Sequence, residues 1–188
     1  ERNIAYKAAK VMMEQFDIKQ GVCIRIEKHI PVAAGMAGGS TDCAAVLYGM
    51  NKLFGLQLSQ KKLREIGVKL GADVPYCLMR RTALSEGIGE ILTPVAPLPD
   101  CPILIAKPSI SVSTRYVYEH LKLNEETLHP DVDVIVSALK AKDLYGVTDR
   151  LGNVLETVTI PEHPVIADIK QQMMQSGAVN ALMSGSGP

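Results

Sequence analysis

The run Pro31-Val-Ala-Ala-Gly-Met-Ala-Gly-Gly-Ser-Thr41 constrains this chain more than any other segment. Before it, Val22, Ile24 and Ile26 alternate with Cys23, Arg25 and Glu27, the period of a strand. After it comes an apolar helical stretch over residues 42–54, with Ser40 or Thr41 as its cap. A strand that passes through glycines into a helix start is a natural anion site. Glycine lets the backbone approach closely, and unpaired N–H groups at the helix start point outward. The helix dipole adds roughly half a positive charge there. Read from the residues alone, the turn is either a phosphate cradle or simply a tight loop.

Three common glycine patterns do not fit. The pattern G-x-x-x-x-G-K-S/T needs a lysine that is absent here. Gly35, Gly38 and Gly39 do not have the spacing of G-x-G-x-x-G. A nucleophile elbow, G-x-S-x-G, fails because Asp42 stands where its second glycine belongs.

Around this turn the chain alternates helical and extended patterns. Ile4, Ala8, Val11, Met12 and Phe16 have helical spacing over residues 3–16. Ser59 is the cap of a helix that runs to about Leu70 and is closed by Gly71. Residues 74–79, 82–84 and 90–93 read as short strands. Pro94, Pro97, Pro99 and Pro102 form a stiff connection, which divides residues 1–95 from 96–188. The second part offers a strand over 103–107 and helices over 114–121, 131–141, 151–157 and 164–176. A final strand over 179–183 enters a glycine-rich turn. The mixture is α+β in two layers.

Composition narrows the function classes. Lys plus Arg equals Asp plus Glu, at 20 each among 188 residues, so no basic stripe for nucleic acid is expected. Cys23, Cys43, Cys77 and Cys101 are far apart, and reduced thiols in a cytoplasmic protein are the expectation. No apolar run approaches the ~20 residues that span a bilayer, so no membrane partner is expected. The chain opens without Met and stops inside a glycine-rich turn, so it reads as a piece incomplete at both ends.

Four segments, in order, carry a resemblance. The stretch from Pro31 through Asp42, ending Gly-Gly-Ser-Thr-Asp, resembles the second motif of the GHMP kinase superfamily (galactose, homoserine, mevalonate and phosphomevalonate kinases). Leu70-Gly-Ala-Asp-Val-Pro75 agrees with it, and Ala181-Leu-Met-Ser-Gly-Ser-Gly-Pro188 is similar to the start of the third motif. Asn3-Ile4 with Lys7-Ala8-Ala9 resembles the family's adenine-side helix. The implied fold has two domains. A ribosomal-protein-like ATP-binding domain covers residues 1–95, and a ferredoxin-like C-terminal GHMP kinase domain covers 96–188.

The resemblance implies an ATP-dependent small-molecule kinase with Mg²⁺. Pro31, Val32, Ala33, Ala34, Gly35, Met36, Ala37, Gly38, Gly39, Ser40 and Thr41 would wrap the ATP phosphates, with Asn3, Ile4 and Lys28 around the adenine. Asn3 reads equally as a helix cap, and Lys28 as a solvated lysine at a strand end. Asp73 is the implied catalytic carboxylate, which would act on the acceptor hydroxyl. Its apolar neighbours suggest burial, which demands a partner. In the family that partner is a lysine on the first strand, upstream of Glu1, so these 188 residues alone are expected to be inactive. An Asp that caps a turn before Pro75 is the plainer reading.

The implied acceptor carries a cytidine diphosphate group. Tyr118 is the match for base stacking, worth about 1–3 kcal/mol, with Thr114 nearby and Ser184 and Gly185 in the third motif. A Tyr packed on a helix face is the alternative. No carboxylate cluster announces a metal site, so Mg²⁺ would be held by phosphates and water, with help from Ser40 or Thr41. His29, His120, His129 and His163 read as ordinary surface histidines. Residues 153–156 are Asn-Val-Leu-Glu where the family often has Asn-Asp-Leu-Glu, and the segment reads as structural. The expected state is a monomer or weak homodimer without nucleic-acid partners. Rival readings are a homoserine or mevalonate type of GHMP kinase, or a non-catalytic module that binds anions or RNA.

Overall fold

The computed structural model describes residues 3–29, 35–124 and 127–188. The chain divides into two compact units. Among the described residues, one holds 3–29 and 37–95, and the other holds 35–36 and 96–188.

In the first unit, α1 (Ile4–Gln15) starts where the Asn3 carboxamide oxygen accepts from the Ala5 N–H at 2.9 Å. Ala5, Ala8, Ala9 and Met12 form its buried stripe, and three alanines in that stripe permit close approach to α2 (Gly38–Leu53). From α2, Cys43, Ala44, Leu47 and Met50 meet that stripe in the core. The buried Asn51 carboxamide donates to the Leu58 carbonyl and accepts from the Leu58 N–H, which ties down the loop after α2. Ser59 caps α3 (Gln60–Gly67) by accepting from the Lys62 N–H at 3.2 Å. A methyl group on Gly67 would lie 2.7 Å from Cγ1 of Val74, so only glycine permits α3 to approach this closely.

Residues 74–79, expected as a strand, form the helix α4 (Val74–Met79). A six-residue apolar run has no decisive period. Here Val74, Pro75 and Leu78 share one buried face while Tyr76 is exposed, and Pro75 suits a first helical turn. After α4, β1 (Ala83–Glu86) pairs antiparallel with β2 (Ile91–Pro94), matching Ala83 to Pro94 and Glu86 to Ile91. The α2 helix starts four residues earlier than expected, so Ser40 and Thr41 lie inside its first turn and do not cap it.

In the second unit, α5 (Thr114–His120) is capped by Ser113 and α6 (Val132–Ala141) by Asp131. Asp143 caps the short α7 (Leu144–Thr148), a helix with no expectation behind it. The helix expected over 151–157 lies later, as α8 (Glu156–Glu162), and α9 (Val165–Gln175) follows. Val117, Leu155, Ile166 and Met183 make the core of this unit.

Residues 22–27, 103–107 and 179–183, expected as strands, pair with no strand among the described residues. Ile103, Leu104 and Ile105 are 73%, 76% and 62% exposed. Alternation along the first of these segments still shows. Val22, Ile24 and Ile26 line one open groove of about 480 Å³ together with Tyr6, Ala9 and Met13 of α1.

Candidate functional site

The glycine run contributes to both units, so each part is taken by itself. In the first unit, Ala37 precedes α2 in the left-handed conformation, with φ 49°. That conformation is unusual for a residue with a side chain and is costly in strain. It turns the chain abruptly into Gly38. The N–H groups of Gly38, Gly39 and Ser40 then donate to no acceptor among the described residues. Thr41 closes the turn: its N–H and its hydroxyl both donate to the Ala37 carbonyl, at 2.9 and 3.1 Å.

Positive charge is set beside this turn. The Lys28 ammonium lies 3.4 Å from the Gly38 carbonyl oxygen and forms an ion pair with Asp42. Asp42 is thereby neutralised within the first helical turns, where it would otherwise face an incoming anion. Lys28 is thus more than a solvated lysine at a strand end. Ile4 completes the surroundings: a methyl group on Gly39 would sit 3.7 Å from its Cγ2, and one on Gly71 would sit 3.2 Å from its Cδ1 and 3.9 Å from Oγ of Ser40. The structure therefore brings Ile4, Lys28, residues 38–41 and the segment at Gly71 together. Asn3 is a helix cap through its oxygen.

Asp73 follows two residues after Gly71, at the start of α4. Its carboxylate is exposed, contrary to the burial that its apolar neighbours suggested, and caps no N–H. Among the described residues it has no ion-pair or hydrogen-bond partner. The turn-cap reading is therefore overturned. Exposure removes the desolvation cost that would have demanded a fixed partner. The result is a carboxylate with no protein partner among the described residues, at the start of a helix that packs against α2.

Near it, Cys77 Sγ lies 3.5 Å from the Thr41 hydroxyl, and the Cys43 thiol is buried on α2. Burial, then the neighbouring Cys77, pushes the Cys43 pKa up to about 11, so the thiol stays protonated and works as a small apolar side chain.

In the second unit, the Ser184 hydroxyl donates to the Gly35 carbonyl at 3.2 Å. Gly35 has φ +67°, and a methyl group there would reach 3.4 Å from the Ser184 carbonyl oxygen, so two glycine segments of the chain run side by side. The hydroxyls of Thr114 and Ser186 are hydrogen-bonded at 2.9 Å, which brings the start of α5 to the same turn. Tyr118 is 62% exposed. Tyr116, by contrast, stacks on His120 at 3.8 Å and donates its hydroxyl to Glu162, an acceptor that raises the phenol pKa.

Sequence reasoning read Asn153 and Glu156 only as parts of a structural segment and passed over Thr159. Asn153, Glu156 and Thr159 all hydrogen-bond to the backbone of residues 183–186. Separations of 27 to 32 residues hide such contacts from any local pattern. Pro31, Val32, Ala33 and Ala34, the first part of the expected ATP loop, lie outside the described residues.

Residues 3–81 match the family described as GHMP kinases N terminal domain, and residues 135–188 match GHMP kinases C terminal. The chain belongs to the GHMP kinase family. Within that family it is similar, at 57% identity over 188 residues, to a 4-diphosphocytidyl-2-C-methyl-D-erythritol kinase of Lachnoclostridium phytofermentans. A relative of the same name from Lachnospira eligens is 55% identical. Both alignments cover 100% of this GHMP kinase chain and 65% of the relative, so the chain spans about two thirds of their length. A crystal structure of 4-(cytidine 5'-diphospho)-2C-methyl-D-erythritol kinase superposes with a TM-score of 0.84 at 35% identity, covering 100% of this chain and 67% of that one. A homoserine kinase from Cytophaga hutchinsonii gives 0.81 at 21% identity, which shows a shared GHMP kinase fold. The mixed helix and strand content agrees with the α+β fold class expected.

Proposed function

We propose that this GHMP kinase transfers the γ-phosphoryl group of ATP to the 2-hydroxyl of 4-diphosphocytidyl-2-C-methyl-D-erythritol, a step of the non-mevalonate route to isoprenoid precursors. Similarity along the whole chain to kinases of that name is the observation that carries the acceptor. On this reading residues 1–95 are the ATP-binding domain and residues 96–188 the C-terminal domain. The four cysteines, all free, suit a cytoplasmic enzyme.

The residues present fit a polyphosphate. Three outward N–H groups at the start of a 16-residue helix, with the Lys28 ammonium beside them, suit the charge and size of the ATP phosphates. They fit Mg²⁺ only as an ion carried on the nucleotide. The first turn of α2 holds no acidic residue, and Asp42 is paired with Lys28. The Ser40 hydroxyl would complete a shell made mostly of phosphate and water oxygens, and the ion would supply neutralisation of phosphate charge. Lys28 and the α2 amides hold the nucleotide and withdraw charge as the bond to the leaving phosphate breaks. Asp73 orients the acceptor hydroxyl and takes its proton as the new oxygen–phosphorus bond forms. Tyr118 offers its ring for the cytosine, while Thr114, Ser184 and Gly185 present hydroxyl and amide groups to the acceptor.

The test is an assay of the purified full-length protein with ATP and three acceptors offered separately: the cytidine-diphosphate alcohol, homoserine and mevalonate. Transfer to the first alone is expected. Turnover of homoserine or mevalonate in its place would sink the assignment.

A further inference from the structure

Of the residues that touch the 183–187 turn, Asn153 does the most. Both protons of its carboxamide nitrogen are engaged, one with the Met183 carbonyl and one with the Gly185 carbonyl, each at 2.8 Å. Its oxygen accepts from the Leu155 N–H at 3.0 Å, so the side chain is fixed at its base. Glu156 accepts from the Met183 N–H at 2.8 Å and is itself held by Lys170. Buried Thr159, 1% exposed, donates to the Ser186 carbonyl at 3.0 Å.

In a trans peptide the C=O and the following N–H point in opposite directions. With the carbonyls of Met183 and Gly185 drawn onto Asn153, the N–H groups of Ser184 and Ser186 face away from it. Among the described residues neither donates to a protein acceptor. Gly185, at φ +57°, supplies the left-handed step that gives such a turn the concave form of an anion nest.

We propose that Asn153 is a positioning residue of the kinase: by holding two carbonyls of the 183–187 turn inward, it keeps two amides of that turn outward for an anionic acceptor. The inference rests on the function proposed above for the reaction it serves, but not for the geometry. Asn153→Asp is the informative change, since it keeps the shape and the acceptor for Leu155 while turning an oxygen toward two carbonyl oxygens. Asn153→Ala removes the clamp without that repulsion.

The experiment measures hydrogen exchange, thermal midpoint, ATP affinity and acceptor kinetics for the full-length wild type and both variants. Exchange in the 183–187 segment is expected to quicken about 10-fold or more, with the first unit unchanged. The value of kcat/KM for the acceptor should fall roughly 30-fold for Asn153→Ala, as for two lost hydrogen bonds, and further for Asn153→Asp. ATP affinity should stay within about threefold. Unchanged exchange at the turn overturns the positioning role, and so does a loss that follows the thermal midpoint alone. Fast exchange with intact acceptor kinetics overturns its service to the reaction. If the wild type phosphorylates no cytidine-diphosphate alcohol, the proposed function fails, while exchange still decides whether Asn153 sets the turn.

Discussion

The two units order their glycine turns by different means. In the first, the turn at residues 37–41 runs straight into α2, a 16-residue helix anchored by Cys43, Ala44, Leu47 and Met50 in a core that also includes Met12, Leu63 and Val74. The backbone ladder of the helix holds the turn, and its first amides are left open simply because helix starts leave N–H groups unpaired. In the second, the turn at 183–187 enters no regular element, and the buried cluster near it is small: Val117, Leu155, Ile166 and Met183. Order comes from the side chains of Asn153, Glu156 and Thr159, each bonded to turn backbone. A glycine turn can thus be stiffened by packing at one remove or by direct polar clamps. The first kind should fail through loss of core, and the second through loss of single hydrogen bonds.

The largest effect should come from a change that spares both turns. Asp73→Asn or Asp73→Ala removes an exposed carboxylate that bonds to neither turn, so kcat should fall by roughly 10²–10⁴ with ATP affinity nearly unchanged. Steady-state kinetics with a nucleotide-binding titration check this, and an equally large loss of ATP binding would remove Asp73 from the chemistry.

Next is the core beneath the first turn. Leu47 is fully buried on α2, and Leu47→Ala should lower stability by about 2–5 kcal/mol, with ATP binding weakened as α2 loosens. Calorimetry of the variant tests it. A cost under about 1 kcal/mol would mean that packing does not hold this turn.

Smaller still is the polar clamp at Thr159. Thr159→Val keeps the shape but removes the hydroxyl that donates to the Ser186 carbonyl, at a cost of about 1 kcal/mol in denaturant unfolding. Faster exchange should be confined to the 183–187 turn. Loss spread evenly through the second unit would erase the contrast drawn between the two.

The smallest expected effect is a slope. The folded Cys43 thiol has its pKa raised from 9.0 to about 11, so the unfolded chain gives up its proton first. Between pH 9 and about 11 the unfolded state binds fewer protons, and stability falls as pH rises, having been fully present below pH 9. Cys43→Ala should flatten that part of the stability profile in urea titrations at several pH values.

Particular residues show where local sequence is enough. Asn3, Ser59 and the motif segments were legible because a cap and a glycine turn act within three or four residues of themselves. The run 31–42, with 70–75 and 181–188, carried the family for the same reason: each motif is a contiguous piece of a site. Val74 to Met79 is the counter-example, since six apolar residues suit a strand or a helix until neighbours choose. Here the close approach of Gly67 to Val74 selects the helix.

The exposure of Asp73 was likewise invisible, because apolar neighbours in sequence need not cover a side chain in space. What the sequence alone determined is chemistry that lies within one stretch of chain: the glycine turn, its helix, the caps and the GHMP kinase membership. Tertiary structure decided what depends on contacts between distant segments. It set Lys28 against Asp42, it left the Asp73 carboxylate open, and it put Asn153, Glu156 and Thr159 on the 183–186 backbone. A hydrogen bond across some 30 residues leaves no periodic mark on sequence, since its geometry exists only once the chain has closed on itself.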